Sequence, residues 1–407
     1  MSGILSTVFL FVVPFLLVLT LVVTIHELGH FAAARALGIA VDRFAIGFGR
    51  AILSWTDRSG VEWRIGWIPL GGYVRFAGDQ EASSTIPDGD DLKDMRERIR
   101  REEGVGAERR YFHFKPVWAR AIVTVAGPVA NFILSIFLFA LLLSTVGEVL
   151  VSPKVGGVTP GSAAEQAGFQ KGDMIKSVDG RKIRDFLDMQ QYVALRAGQS
   201  MDFVVERNGH EVALVATPRR TATVDQVTGS TTRLGVLGLA SSTEPGDVSR
   251  ERYPPLQAVG LGVKRTWTIL DTTVVYLGRL ARGQESGDQL GGPVRIADTA
   301  RAVATAGAQG AGDIWGKILG GGAALLSLAA FLSVGIGFMN LLPVPVLDGG
   351  HLLFYAYEAI ARRPLGAKVQ AAGYRVGLAL LLGLMLFATW NDLQQLRVFK
   401  IIGGLFS

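Results

Sequence analysis

The chain has 407 residues, of which 49% are hydrophobic and 19% charged. Soluble globular chains carry roughly 25% charged residues, which excludes an ordinary soluble fold throughout. With no cysteine, disulfides and thiolate metal sites are excluded, and any metal would need His, Asp or Glu. The net charge of +6 comes without a basic cluster interleaved with aromatics, so no nucleic-acid partner is expected. The excess reads as Lys and Arg retained on the cytoplasmic side of a membrane protein.

Residues 1–25 carry no charge, and about 20 apolar residues suffice to cross a bilayer. The run has neither a basic n-region nor a small-residue cleavage site, so it reads as an uncleaved span rather than a signal peptide. Charge-free runs recur at 121–147, 318–347 and 376–391; the last extends back to 371 if Arg375 snorkels. Four transmembrane helices are expected, at about 4–33, 119–146, 318–342 and 371–391. Lys and Arg near the span ends set the orientation. Arg35, Arg43, Arg50, Arg109, Arg110, Lys115 and Arg120 flank the first loop, and Arg362, Arg363, Lys368 and Arg375 the third. Both loops are expected in the cytoplasm, with the long loop 147–317 and the amino terminus outside. Arg397 and Lys400 fit poorly with an outside carboxy-terminal end.

Between the spans, the expected cytoplasmic loop is 37–118. Val61, Trp63 and Ile65 alternate with polar or small residues, the period of a half-buried strand, and Arg58-Ser59-Gly60 reads as a hairpin turn. A β-hairpin region is therefore expected at 41–77. Residues 79–110 are highly charged and read as a solvated helix or partial disorder. Beyond the second span, 119–147, the series Thr159-Pro160-Gly161-Ser162-Ala163-Ala164, Lys171-Gly172-Asp173-Met174-Ile175 and Val178-Asp179-Gly180 resembles a bacterial PDZ domain, placed at 152–218. Such domains bind peptide termini by adding a strand to a sheet edge. Residues 219–317 read as a connector, with one short strand at 233–240 and amphipathic helices beyond. Trp267, Leu270, Val274, Leu277 and Ala281 recur there at helical spacing.

His26 and His30 lie four apart in the first span (1–36), so both imidazoles project from one helix face and can bind one Zn²⁺. Glu27 in such a His-Glu-x-x-His string suits the general base that deprotonates the attacking water. Charged groups inside a membrane are expensive and mark function. A catalytic zinc takes a third protein ligand; the third membrane segment, 318–350, offers Asp348, and His351 follows just beyond it. Pro343 and Pro345 must unwind the backbone just before them, which is tolerated at membrane depth only against protein or a wet cavity.

His26-Glu27-Leu28-Gly29-His30 taken with Asn340-Leu341-Leu342-Pro343-Val344-Pro345-Val346-Leu347-Asp348-Gly349-Gly350 resembles the site-2 protease family of intramembrane metalloproteases. The PDZ-like insertion makes the chain most similar to the bacterial regulator-of-sigma-E type, although one PDZ copy is recognisable where that type commonly has two. The resemblance implies a polytopic α-helical membrane protein with four transmembrane helices, a cytoplasmic membrane-associated β-region and an inserted extracytoplasmic α+β domain. It implies one zinc held by His26, His30 and Asp348, with Glu27 as catalytic base. It assigns substrate contacts to Arg64, Ile65, Gly66, Trp67, Ile68, Pro69, Leu70, Gly71, Gly72 and Tyr73, which with Gly47-Phe48-Gly49 look like the family's β-region. Asn131, Asn340, Pro343 and Pro345 are expected beside the site; for the two asparagines an interhelical hydrogen bond is the competing role. The expected partners are the lipid bilayer and single-span membrane substrates, such as a trimmed anti-sigma factor or a remnant signal peptide. A catalytically idle scaffold displaying its PDZ module is the alternative; a transporter is disfavoured because no inverted repeat is visible.

Overall fold

The computed structural model describes residues 2–78, 89–224, 231–242, 244, 246–283, 292–308 and 313–395. Arg397 and Lys400 lie outside them. The chain divides into two compact units, one formed by 1–141 with 256–407 and the other by 142–255.

The first unit opens with helix α1 (Ser2–Ala36), followed by strands β1 (Val41–Thr56) and β2 (Glu62–Phe76). Asp57 closes the hairpin turn, accepting hydrogen bonds from Ser59 N, Ser59 Oγ, Val61 N and Trp63 Nε1. Both strands bend, at Gly47 and Gly49 in β1 and at Gly71 in β2, all with positive φ. Ala45 consequently pairs with both Tyr73 and Arg64, while Leu53 pairs with Ile65. Two long strands thus make four segments in the order 72–76, 41–46, 62–65, 51–56. At its base the sheet buries Phe44 and Trp63 against Phe31 of α1. Its far end leaves Ile52, Trp67 and Leu70 exposed, and Trp55, stacked on Trp63 from the outer segment, is exposed too.

Helix α2 (Gly89–Glu102) is the mostly exposed helix that one reading of this charged segment expected, except that Met95 and Ile99, one turn apart, are buried against Ala77 and Tyr111. Two short 3₁₀ turns lead into α3 (Val117–Thr145).

The second unit is α+β. Strands β3 (Glu148–Val151) and β4 (Val155–Val158) precede the short helix α4 (Ala163–Gln166), capped by Ser162, whose Oγ accepts from Glu165 N. Strands β5 (Met174–Val178) and β6 (Arg181–Lys182), helix α5 (Phe186–Ala194) and strands β7 (Met201–Arg207) and β8 (His210–Ala216) follow. Strands β5 to β8 form a four-stranded sheet in the order β6-β5-β7-β8. Val155, Ile175, Val178, Phe203 and Val205 centre its core. Asp173 is enclosed there; burial alone would raise its carboxyl, but paired hydrogen bonds from Arg207 and one from Gln170 N hold it below the usual range.

The expected connector after residue 218 is corrected: β9 (Arg219–Val224), β10 (Thr231–Val236), β11 (Leu239–Ser241) and β12 (Val248–Glu251) all belong to this unit. Strands β11 and β12 pair with β4 and β3, some ninety residues earlier, so the local sequence carries little of the signal.

The first unit resumes with α6 (Pro255–Ala281), α7 (Pro293–Ala308), α8 (Ile314–Asn340), α9 (Asp348–Ala361) and α10 (Ala367–Gln395). Among the described residues, four helices are long and apolar enough to cross a membrane: Val12–Ala36, Val117–Thr145, Ile314–Asn340 and Ala367–Asp392. Helices satisfy their own backbone, which is what a hydrocarbon environment demands. Backbones approach closely where glycine permits it: a Cβ on Gly29 of α1 would lie 2.7 Å from Ala130 Cβ of α3, and one on Gly337 of α8 would lie 3.1 Å from Pro128 O.

Candidate active site and metal centre

Helix α1 brings His26 and His30 onto the face that crosses α3 at Gly127. A Cβ on Gly127 would stand 2.9 Å from His26 Cε1 and overlap His30 Nε2, so the rings occupy space that only glycine leaves open. Helix α8 ends at Asn340, and residues 341–347 cross non-helically past Pro343 and Pro345 before α9 restarts at Asp348. Gly349 and Gly350 let this first turn press onto the carbonyls of Leu342 and Val344, with no room for a side chain. Asp348 is thereby set against α1. Its Oδ2 lies 3.1 Å from His26 Nε2 and 3.5 Å from His30 Nε2, and the two Nε2 atoms are 3.2 Å apart.

Proton accounting tests whether these residues fit a metal. His30 Nδ1 is 2.8 Å from Val123 O, and a carbonyl can only accept, so the ring proton is on Nδ1. His26 Nδ1 faces the side-chain amide of Asn131 at 3.3 Å. Asn131 Oδ1 is buried without a partner, and turning the amide lets it accept from His26 Nδ1–H. Both Nε2 atoms then present lone pairs toward Asp348 Oδ2, itself buried without a hydrogen-bond partner. Three lone pairs converging without a proton call for a cation. Tetrahedral ligands about 2.0–2.1 Å from zinc stand ~3.3 Å apart, matching the observed triangle. Among the described residues this is the one group of three or more suited to a metal. Neutral nitrogens with one carboxylate and no thiolate suit zinc.

Glu27 lines the same cavity as the triangle and reaches the sheet. Its Oε2 accepts from Val74 N at 3.2 Å, and its Cγ lies 3.6 Å from where a Cβ on Gly72 would be, so Gly72 lets sheet and helix meet. A cavity of about 710 Å³ opens between these elements, lined by His26, Glu27, His30 and Asp348. Val74 and Phe76 of β2, Thr124 of α3, Asn340, His351, Tyr355, and Tyr374 and Arg375 of α10 also face it.

The predicted site residues separate into groups. His26, His30 and Asp348 converge, with Glu27 beside them. His351, the other candidate third ligand, lines the cavity but lies 3.3 Å from Tyr374 Oη, outside the triangle. Asn340 faces the cavity, whereas Asn131 is fully buried behind His26. Pro343 is exposed, and Pro345 packs toward Gly373 and Gly377 of α10.

The strand expectation needs correction. Arg64 and Ile65 are paired on both sides, with 45–46 and 53–54, so they offer no edge. Trp67, Ile68 and Leu70 lie on the exposed arm, and Pro69 O accepts from Thr20 Oγ1. The edge segment beside the cavity is 72–76, holding Gly72 and Tyr73, with Gly71 packed on Val23 just before it. A bent strand that pairs on both sides has no local signature, which is why period-two alternation missed this. Val123 O, Thr124, Tyr355 and Tyr374 were missed too: Val123, Thr124 and Tyr374 read as ordinary span residues, and Tyr355 as part of the third loop.

Two imidazoles from the first membrane helix and a carboxylate from the start of α9, with a second carboxylate lining the same cavity, define a zinc metalloprotease of the membrane. The chain belongs to peptidase family M50, the site-2 protease family, whose model matches residues 14–384. It is 53% identical to metalloprotease MmpA of Caulobacter vibrioides over 97% of this chain and 98% of that protein. It is 42% identical to Atu1380 of Agrobacterium fabrum, provisionally named a zinc metalloprotease, over 95% of this chain and 96% of that one.

Proposed function

We propose that this protein hydrolyses a peptide bond within or next to the transmembrane helix of single-span membrane proteins, with His26, His30 and Asp348 holding the zinc and Glu27 as base. The observation that carries this reading is the position of Glu27, in the helical span Val12–Ala36, between the metal triangle and a sheet edge. Zinc, when bound, acidifies water and polarises a carbonyl oxygen. Glu27 takes the proton of the attacking water at a carboxylate oxygen. As the C–N bond breaks it passes that proton to the leaving nitrogen; the acid's remaining proton then goes to the released amine, giving a carboxylate and an ammonium group. Val74 N–H holds one oxygen of Glu27, leaving the other for the water.

A transmembrane helix hides its peptide bonds in its own hydrogen bonds, so the scissile segment must unwind first. Segment 72–76 is suited to pair with an extended substrate, and Asn340 to bond a backbone group freed by the unwinding. The charge bias of the loops supports a cytoplasmic sheet and an extracytoplasmic second unit in a bacterial inner membrane. The PDZ-like sequence in that unit supports capture of peptide termini.

Glu27→Gln tests the reading. In membranes carrying a single-span reporter, we expect cleavage to fall ~10³-fold while zinc is retained, with uncut reporter co-purifying. Cleavage at the wild-type rate would remove Glu27 from the chemistry and favour the idle-scaffold reading.

A further inference from the structure

One partly buried ion pair is not used by the chemistry. Arg120 of α3 and Glu358 of α9 meet at 2.6 Å, 238 positions apart, with only 10% and 20% of their side chains exposed. Arg120 Nε donates to Lys115 O, and its guanidinium lies over the Tyr355 ring, 4.9 Å from the centroid. Tyr355 is seven residues after Asp348 in α9 and therefore on the same face, two turns along. Arg120 thus grips α9 on the face that carries Asp348. One turn further along α3, Val123 O takes the proton of His30 Nδ1.

We propose that Arg120 and Glu358 are positioning residues of the zinc centre. They fix the rotation of α9 against α3, so that Asp348 meets the His30 ring that the same helix orients. The first turn of α9 is pinned by Gly349 and Gly350 on the preceding loop. A pinned end still lets a helix turn about its axis, and a second contact two to three turns away prevents that. Buried ion pairs add little net stability because desolvation offsets their attraction, yet they can specify one arrangement. Tyr355 faces the cavity, so the grip reaches the wall where substrate would lie.

This inference rests on the assignment of His26, His30 and Asp348 as zinc ligands, and the experiment separates the two. Full-length protein in detergent is titrated with zinc against a chelator, and its thermal unfolding and reporter kinetics are followed. His26→Ala is the control: loss of zinc binding confirms the ligand set, and retention refutes it whatever Arg120 does. Glu358→Gln keeps the shape and removes the charge. We expect it to weaken zinc affinity about tenfold and lower kcat with little change in KM. Arg120→Glu/Glu358→Arg restores most of the affinity lost by either single variant. Zinc affinity unchanged in folded Glu358→Gln, a lower unfolding temperature with full affinity, or a double variant no better than the singles would each overturn the proposal.

Discussion

Helices α3 and α10 are both 29 residues long and both qualify as membrane spans. In the most apolar stretch of α3, 44% of the residues are buried, against 11% in that of α10. Along α3 the contacts are small or polar and come from several directions. Gly127 receives the two imidazoles, Asn131 faces His26, and Asn131 O accepts from Ser333 Oγ of α8 at 2.8 Å. Ser135 meets Thr266 of α6 at 3.2 Å. The close contacts described for α10 gather toward its two ends. Gly373 and Gly377 rest on Pro345, and at the other end Asp392, 2% exposed, accepts from Gly292 N and Arg295 N at the start of α7. Between them Leu380, Leu382, Met385, Leu386 and Phe387 are exposed. Lipid tails are as apolar as leucine, so spans associate through close backbone packing and hydrogen bonds rather than apolar burial. The helix that positions the metal ligands is accordingly the one stitched in by glycine, serine and asparagine, and the helix that borders the cavity is held at its ends.

The comparison breaks most readily at Gly127. Any side chain there must displace His30 or move α3 off α1. Gly127→Leu is expected to cut zinc affinity at least ~100-fold and to abolish reporter cleavage. Metal analysis of the purified full chain checks this; near-stoichiometric zinc at wild-type affinity would show that α3 does not set the imidazoles.

A smaller effect is expected at Gly377. A Cβ there would lie 3.1 Å from Pro345 Cδ and 3.2 Å from Val346 Cγ2, in the loop that delivers Asp348. Gly377→Leu overpacks this contact, at about 1–3 kcal/mol. Thermal unfolding should drop, and cleavage should fall more steeply than zinc content because Val346 and Leu347 line the cavity. Equal losses in all three would mean that α10 merely stabilises the fold.

How much of this was legible follows from distance along the chain. The spans announce themselves because twenty charge-free residues in a row have few other uses. His26 and His30 are readable because four-residue spacing on a helix is a geometric statement by itself. Asp348 needed the family resemblance to separate it from His351, since both end the same charge-free run. What stayed hidden is tertiary. Val123 O supports His30 from 93 positions away, Arg120 finds Glu358 across 238, and β11 and β12 find β4 and β3 across the second unit. Met95 and Ile99 could have been noticed as a one-turn apolar pair inside the charged segment, a signal outweighed by the charges around it.

The smallest effect belongs to the middle of α10. A Cβ on Gly383 would meet nothing within 4 Å, so Gly383→Ala tests whether that stretch bears on assembly at all. In a helix interior, alanine for glycine gains about 0.8–1.0 kcal/mol from reduced backbone freedom in the disordered chain. In a span whose helix already forms in lipid, most of that gain is absent. Thermal unfolding should therefore rise by no more than a degree or two, with zinc affinity and reporter cleavage unchanged. A loss of cleavage with zinc retained would instead place the middle of α10 in contact with substrate, where an added methyl group obstructs a neighbouring helix. The same substitution thus tells whether exposure on this stretch marks a face that meets only lipid or one that also meets the protein being cut.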